Sequence, residues 1–319
     1  MRIISETTEF HIAERTVVAI GKFDGVHLGH QKLLNRMREW QRQGLTAVVF
    51  TFDRSPASIF APGTQAGELT TCAEKRVLME ALGADILLEF PMTLQTAATP
   101  ADDFVREVLV RQLNAAVIVA GEDLSFGHKG LGNRQLLEKM AKPFGYQVEI
   151  VDKLSATEIL PGYDLNTAVS STLVRELLEE GKMKEVSALC GRPYSVEEFV
   201  IHGKHLGGPV LHMPTINIDW PEGKLTPPYG VYYSQTLLGG KRYASITNVG
   251  CKPTVAKEQK VLAETYLYGF DGDAYGEKAE VIFYGYKRPE QKFENLDLLR
   301  EHMRRDIEQG RAYWAANSQ

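Results

Sequence analysis

Two patterns of apolar spacing divide the chain. As far as about residue 151, short apolar runs alternate with segments whose apolar residues recur every three or four positions, the helical period. Runs at 17–20, 46–52, 86–90, 116–121 and 146–151 read as strands. Between them, Leu33, Leu34, Met37 and Trp40 begin a helix for which Gly44 is a plausible cap, and helices are predicted over 73–82, 100–113 and 133–140. Strand, helix and strand in unbroken succession predict right-handed crossovers and a parallel sheet. Past a polar passage that contains Gly191 and Pro193, short β runs replace the helical period. Residues 231–238 and 243–249 flank Gly239 and Gly240, a hairpin signal; 264–269 and 279–286 flank a turn rich in Asp and Gly. Many short strands with turn signals suggest a small β-barrel. Residues 296–314, with Leu299, Met303 and Ile307 on one stripe, read as a C-terminal helix. The expected organisation is two domains, 1–186 and 187–319.

Composition narrows the function. The 319 residues, 44% hydrophobic and 24% charged, suffice for two separate cores. A net charge of −5 gives no basic footprint for non-specific nucleic-acid binding, so no nucleic-acid partner is expected. Cys72, Cys190 and Cys251 lie far apart, which argues against a disulfide framework and for a reducing cytoplasm. Residues 1–10 lack the apolar stretch of a signal peptide, and no run approaches membrane-spanning length, so no membrane association is expected.

The candidate chemistry begins at residues 21–31, G-K-F-D-G-V-H-L-G-H-Q. They follow a buried strand, turn on Gly21 and Gly25, and lead into a helix. His27 and His30 therefore sit where backbone N–H groups and the positive end of a helix dipole favour phosphate. Two imidazoles three residues apart can face the same oxygen atoms and stabilise charge developing there. A metal site is the weaker reading, since no nearby cysteine or carboxylate cluster completes a ligand set.

This stretch resembles the signature of the bacterial bifunctional riboflavin kinase/FMN adenylyltransferase (FAD synthetase) family, and the resemblance extends over nearly the whole chain. Residues 121–128, G-E-D-L-S-F-G-H, resemble the family's G-x-D-F-x-F-G loop, with Leu124 in place of Phe. Residues 170–175, S-S-T-L-V-R, resemble its S-S-T-x-x-R element, although Ser171 or Thr172 alone would read as a helix N-cap. In the second half, residues 213–217, M-P-T-I-N, resemble the P-T-x-N element, and residues 263–267, A-E-T-Y-L, the E-T-x-L strand. Residues 248–254 and 287–293 also match family stretches.

The resemblance implies a Rossmann-like nucleotidyltransferase domain followed by a riboflavin-kinase-like barrel. It implies that ATP phosphorylates riboflavin to FMN and that a second ATP adenylylates FMN to FAD, with magnesium as cofactor. His27, His30 and Arg175 would act in adenylyl transfer. Gly21, Phe23, Asp24, Gly29, Asp123, Phe126, Gly127, Ser171, Thr172 and Arg288 would hold nucleotide or flavin. Thr215 and Asn217 would ligate the metal, and Glu264 would take the proton of the attacking ribityl hydroxyl. Besides Leu124, three positions depart from the pattern. Ser55 replaces the histidine of an F-x-P-H-P element, where Arg54 is a candidate compensating charge. Pro209 and His212 replace an arginine and a glycine in the phosphate-facing turn of the kinase half. Two alternatives stay open: an adenylyltransferase for another phosphorylated cofactor precursor, and a second half that binds flavin without kinase activity.

Overall fold

A computed structural model describes residues 1–55, 59–60, 67–162, 167–202, 215–253 and 259–317. The chain divides into two compact units, Met1–Ser171 and Thr172–Gln319. Among the described residues, no helix is long and apolar enough to cross a membrane.

The first unit is built on six parallel strands: β1 (Arg2–Ser5), β2 (Thr16–Ile20), β3 (Thr46–Phe52), β4 (Ile86–Phe90), β5 (Ala115–Gly121) and β6 (Gln147–Val151), in spatial order β1-β4-β3-β2-β5-β6. Every residue of β2 and β4 is buried, as their mainly apolar runs require in a sheet covered on both faces, and the one carboxylate among them, Glu89, is paired with Arg76. Val17, Ala19, Leu33, Leu34 and Met37 pack one face, and Val18, Ile20, Phe50, Phe104 and Leu109 the other. Helices α1 (Leu28–Gln41), α2 (Cys72–Ala81) and α3 (Arg134–Phe144) fall where apolar spacing predicts them. The segment expected as a helix over 100–113 starts as Ala101–Asp103 and continues as a π-helix, Phe104–Gln112, with Leu113 N–H reaching back to Val108. The wider winding buries Phe104, Val105, Val108, Leu109 and Gln112 together. The order places β2 and β5 side by side, with the chain leaving them toward opposite ends of the sheet. That is the switch point where parallel sheets bind ligands, beyond the strands' carboxyl ends.

The second unit starts within α4 (Ser171–Glu179) and includes α5 (Met183–Cys190), ahead of the expected boundary at 187, because α5 packs on two strands of the barrel. The barrel strands are β7 (Tyr194–Ile201), β8 (Ile216–Asp219), β9 (Gly230–Leu238), β10 (Lys241–Pro253), β11 (Gln259–Leu267) and β12 (Lys278–Pro289). They close in the order β10-β11-β8-β7-β12-β9, every pair antiparallel. Val196, Ile218, Tyr232, Val281 and Phe283 fill the interior together with five buried hydroxyls. The hydroxyls form a ladder: Thr236 donates to Ser245 (3.0 Å), and Ser245–Ser234, Ser234–Thr247 and Thr247–Thr265 bonds of 2.7–2.9 Å continue it.

The C-terminal helix α6 (Leu296–Asn317) lies outside β10. Its buried stripe is Asp306, Gly310 and Trp314 rather than the predicted Leu299, Met303 and Ile307, which stay half-buried. At Gly310 a Cβ would collide with the Tyr268 hydroxyl, which itself donates to the Ile307 carbonyl (2.6 Å), so only glycine lets helix and barrel approach this closely.

Candidate functional site

The residues 21–30 turn lies at the carboxyl end of β2, beside β5. Its backbone is strained: Phe23, Gly25 and Val26 all have positive φ, at 51°, 78° and 41°. A β-branched residue in that region is rare and persists only where surroundings over-determine it. Here Phe23 is fully buried, Asp24 Oδ1 accepts from Leu69 N–H (2.8 Å) and Thr70 N–H (3.3 Å), and Gly25 N–H donates to Thr70 Oγ1 (3.1 Å). Ser171 Oγ donates to the Asp24 carbonyl (2.8 Å). Asp24 and Ser171, both expected as ligand-binding, thus anchor the turn.

His27 is the N-cap of α1, its Nδ1 accepting from His30 N–H at 3.3 Å. An accepting Nδ1 carries no proton, so neutral His27 holds its proton on Nε2. The two rings stack, with centroids 3.7 Å apart and an interplanar angle of 20°, and the Phe23 ring leans on His30 at 5.2 Å. A side chain at Gly29 would press on the His27 ring at 3.1 Å, and one at Gly21 on Phe23 at 3.1 Å. These glycines therefore set the ring positions. Burial, then the neighbouring His27, then Lys75 push the His30 imidazole well below its ordinary pKa. His30 is neutral at pH 7, and its buried Nδ1 has no hydrogen-bond partner among the described residues.

Other expected residues are placed differently. Asp123 is exposed and pairs with Lys153 (3.2 Å). Phe126 belongs to the core, 5.5 Å from Phe104, and Gly127 has φ 70° with its backbone against Ala101, where a Cβ would lie 2.6 Å from Cα. Arg54 is exposed and pairs with Asp53 (3.4 Å); Ser55 follows it. Thr172 and Arg175 lie on α4 just after Ser171.

Register builds the barrel's candidate site. Glu264 on β11 stands directly opposite Asn217 on β8 and, on its other side, Asn248 on β10. All three side chains take the outer face, because Ala263 and Thr265 point inward. Paired residues in such ladders have Cβ atoms about 5 Å apart. Asn217 is buried, and its Oδ1 has no hydrogen-bond partner among the described residues. Thr215 immediately precedes β8. Two residues beyond Glu264, Tyr266 lines an open cavity of about 510 Å³ with Arg304, Ile307 and Arg311 of α6.

Arg288 has a different job. A register shift between Tyr286 and Arg288 turns Lys287 and Arg288 toward the same partner. Lys287 Nζ meets Asp306 Oδ1 at 2.6 Å, and Arg288 grips both carboxylate oxygens of Asp306 at 2.5–3.2 Å. Burial alone would raise the Asp306 carboxyl, but the hydrogen bonds and charges of Arg288 and Lys287 outweigh it and hold it below the ordinary carboxylate range. Arg288 thus clamps α6 to β12. The turn with Pro209 and His212, and Thr254, lie outside the described residues.

The fold and these two sites define a two-domain chain, one half a nucleotide-binding parallel sheet and the other a closed barrel with polar groups on its outer face. Comparison with known proteins agrees half by half. The FAD synthetase family model matches residues 9–160 and the riboflavin kinase model residues 190–314. A bifunctional riboflavin kinase/FMN adenylyltransferase of Listeria monocytogenes is 34% identical over 94% of this chain and 92% of its own length. One of Escherichia coli is 31% identical over 92% and 91%. The fold is similar to a solved Streptococcus pneumoniae chain called a macrolide-efflux protein, with TM-score 0.82, 26% identity, and 97% and 98% of the two chains covered. That name concerns that protein alone. The chain belongs to the bifunctional riboflavin kinase/FMN adenylyltransferase family.

Proposed function

We propose that this chain makes FMN from riboflavin and FAD from FMN, at separate sites in its two halves and in the cytoplasm, with the functional boundary near residue 187. The observation that carries this reading is the presence in one chain of a stacked imidazole pair at a parallel-sheet switch point and a cross-strand Asn217–Glu264 pair on a closed barrel.

In adenylyl transfer an FMN phosphate oxygen attacks the α-phosphorus of ATP. The new O–P bond forms as the bond to the bridging oxygen breaks, and pyrophosphate leaves. The nucleophile is already an anion, so no general base is needed. Neutral His27 and His30 donate hydrogen bonds to the phosphate oxygens as charge grows on them, and the strained turn holds both rings in place beforehand. Arg175 and Thr172 take the pyrophosphate end, where a guanidinium can grip two oxygens at once.

In the kinase half, Glu264 accepts the proton of the ribityl hydroxyl as its oxygen bonds to the γ-phosphorus, and ADP leaves. The donors fit magnesium: the unpartnered buried Asn217 Oδ1 and the neighbouring Thr215 hydroxyl are hard oxygen ligands. When bound, the ion neutralises charge on the ATP phosphates. The flavin ring is assigned to the cavity between Tyr266 and α6, within reach of Glu264 along the same face.

Product analysis tests this. Purified protein is incubated with ATP and magnesium plus either riboflavin or FMN, and the flavins are resolved by chromatography. FAD from both mixtures is expected, and chelation with EDTA stops FMN formation. FAD from FMN alone reduces the second half to a flavin-binding module, the reading that Pro209 and His212 favour. No FAD from either mixture overturns the flavin assignment.

A further inference from the structure

The site at the β2–β5 switch point contains a charge that no motif marks. Lys75, in the first turns of α2, is only 4% exposed. Its ammonium has no hydrogen-bond or ion-pair partner among the described residues, although acidic side chains lie close by in sequence and space. Glu74 is engaged with Thr71 N–H in a capping box, and Glu89, itself buried, is gripped by Arg76 at 3.0 and 2.6 Å. Asp24 Oδ1 takes the backbone of Leu69 and Thr70. Glu74, Glu89 and Asp24 are therefore committed to holding α2 and its leading loop in place, and none of the three pairs with Lys75.

A lysine with its stem buried and its ammonium without a counter-ion attracts negative charge brought to it. What faces it sharpens the point. The start of α2 packs against the Asp24–Val26 turn, a Cβ on Gly25 would touch Leu69 at 2.8 Å, and the Lys75 charge is felt by His30. The ammonium thus lies within electrostatic range of the stacked imidazole pair, whose His30 Nδ1 has no partner among the described residues.

We propose that Lys75 belongs to the adenylyl-transfer site, as the cation that meets phosphate charge beside His27 and His30. The proposal rests on the adenylyltransferase reading given above. It divides the labour of the site: the imidazoles supply directed hydrogen bonds and Lys75 the net positive charge that two neutral rings lack. The bidentate Arg76–Glu89 pair and the Asp24 bonds position it. The phosphate it meets belongs either to ATP or to FMN, and steady-state kinetics separate the two, since the substrate whose KM rises is the one it contacts.

The test compares wild type with Lys75→Met, Lys75→Gln and Lys75→Arg in the full-length protein. For FMN adenylylation, K75M is expected to lose about 100-fold in kcat/KM, and K75R to stay within tenfold of wild type. Riboflavin phosphorylation by the same preparations is expected to change less than twofold. The His30 titration, followed by NMR of labelled histidine, is expected to move upward in K75M, and the KM for one nucleotide or flavin substrate to rise with it, a split that a purely structural lysine would not produce. Adenylylation by K75M within threefold of wild type overturns the proposal. Should K75M fail to fold, binding of inorganic pyrophosphate decides: K75Q is expected to bind at least tenfold more weakly than K75R, and equal affinities overturn it. A wild-type protein that binds pyrophosphate through Lys75 yet makes no FAD from FMN keeps this inference and overturns the adenylyltransferase reading instead.

Discussion

The turn after β2 and the outer face of the barrel arrange their chemistry in opposite ways. In the turn, the reactive groups are neighbours in sequence, and the difficulty is conformational: three consecutive-range residues sit at positive φ so that two rings stack. In the barrel no non-glycine residue among those described has positive φ, and the candidate site comes from register, which sets Glu264 against Asn217. The first arrangement is sensitive to backbone freedom and to the groups that hold the turn. The second is sensitive to strand slippage, because a shift of one residue would carry Glu264 into the interior. They also treat charge differently: the turn faces a lysine, whereas the paired barrel residues offer oxygen atoms that suit a metal ion.

The comparison can be broken most sharply from the barrel side. Glu264→Gln keeps shape and register and removes the proposed proton acceptor. FMN formation should fall about 1000-fold, with FAD formation from FMN unchanged, measured by flavin chromatography. Loss of both activities would show that the halves do not work separately. His30→Asn is the converse: FAD formation should fall at least about 100-fold while FMN formation persists. Gly127→Ala tests the strained, packed backbone of the loop after β5. With φ at 70° and Ala101 in the way, it should destabilise the protein by about 2–3 kcal/mol in denaturant unfolding.

Two smaller effects depend on pH. The Asp306 carboxyl is held low in the folded state, so its contribution to stability is full above its unfolded pKa of about 4 and is lost as pH falls through the folded value. Asp306→Asn should cost about 3 kcal/mol at pH 7 and flatten the acid limb of the stability curve. The His30 imidazole is also held low, so the unfolded chain takes up its proton first. Stability should therefore decline modestly as pH falls below about 6.5, and His30→Asn should remove that decline. Thermal melts across pH 5–8 check it.

Much of this architecture is legible in the residues, and the exceptions have physical causes. Strands β2 to β5 announce themselves through mainly apolar runs and β6 through β-branched residues. Strands β1, β7 and β8 do not: β1 and β8 have four residues each, and Glu197 and Glu198 interrupt the alternation of β7. Motif likeness brought His27, His30, Asn217 and Glu264 to attention, and the structure gives each a setting in which a ligand is plausible chemistry. The same likeness could not separate binding groups from the groups that support them. Phe126 fills the core, Arg288 clamps α6, and Asp24 ties down residues 69 and 70, because a motif records that a residue is required and not what it touches. Lys75 escaped notice for the opposite reason. A lysine beside a glutamate in a helix reads as a solvated pair until burial and the bond between Arg76 and Glu89 show that its expected partners are taken.

The hydroxyl ladder inside the barrel constrains how this protein can change over generations. Replacing Thr247 by valine preserves size but leaves the hydroxyls on either side unanswered, in a place water does not reach. A lineage cannot cross that gap one residue at a time without passing through a weakened intermediate. Substitutions at 234, 236, 245, 247 and 265 should therefore be linked, arriving in adjacent pairs, so that a set of diverged sequences would carry the ladder's geometry as a pattern of joint replacement.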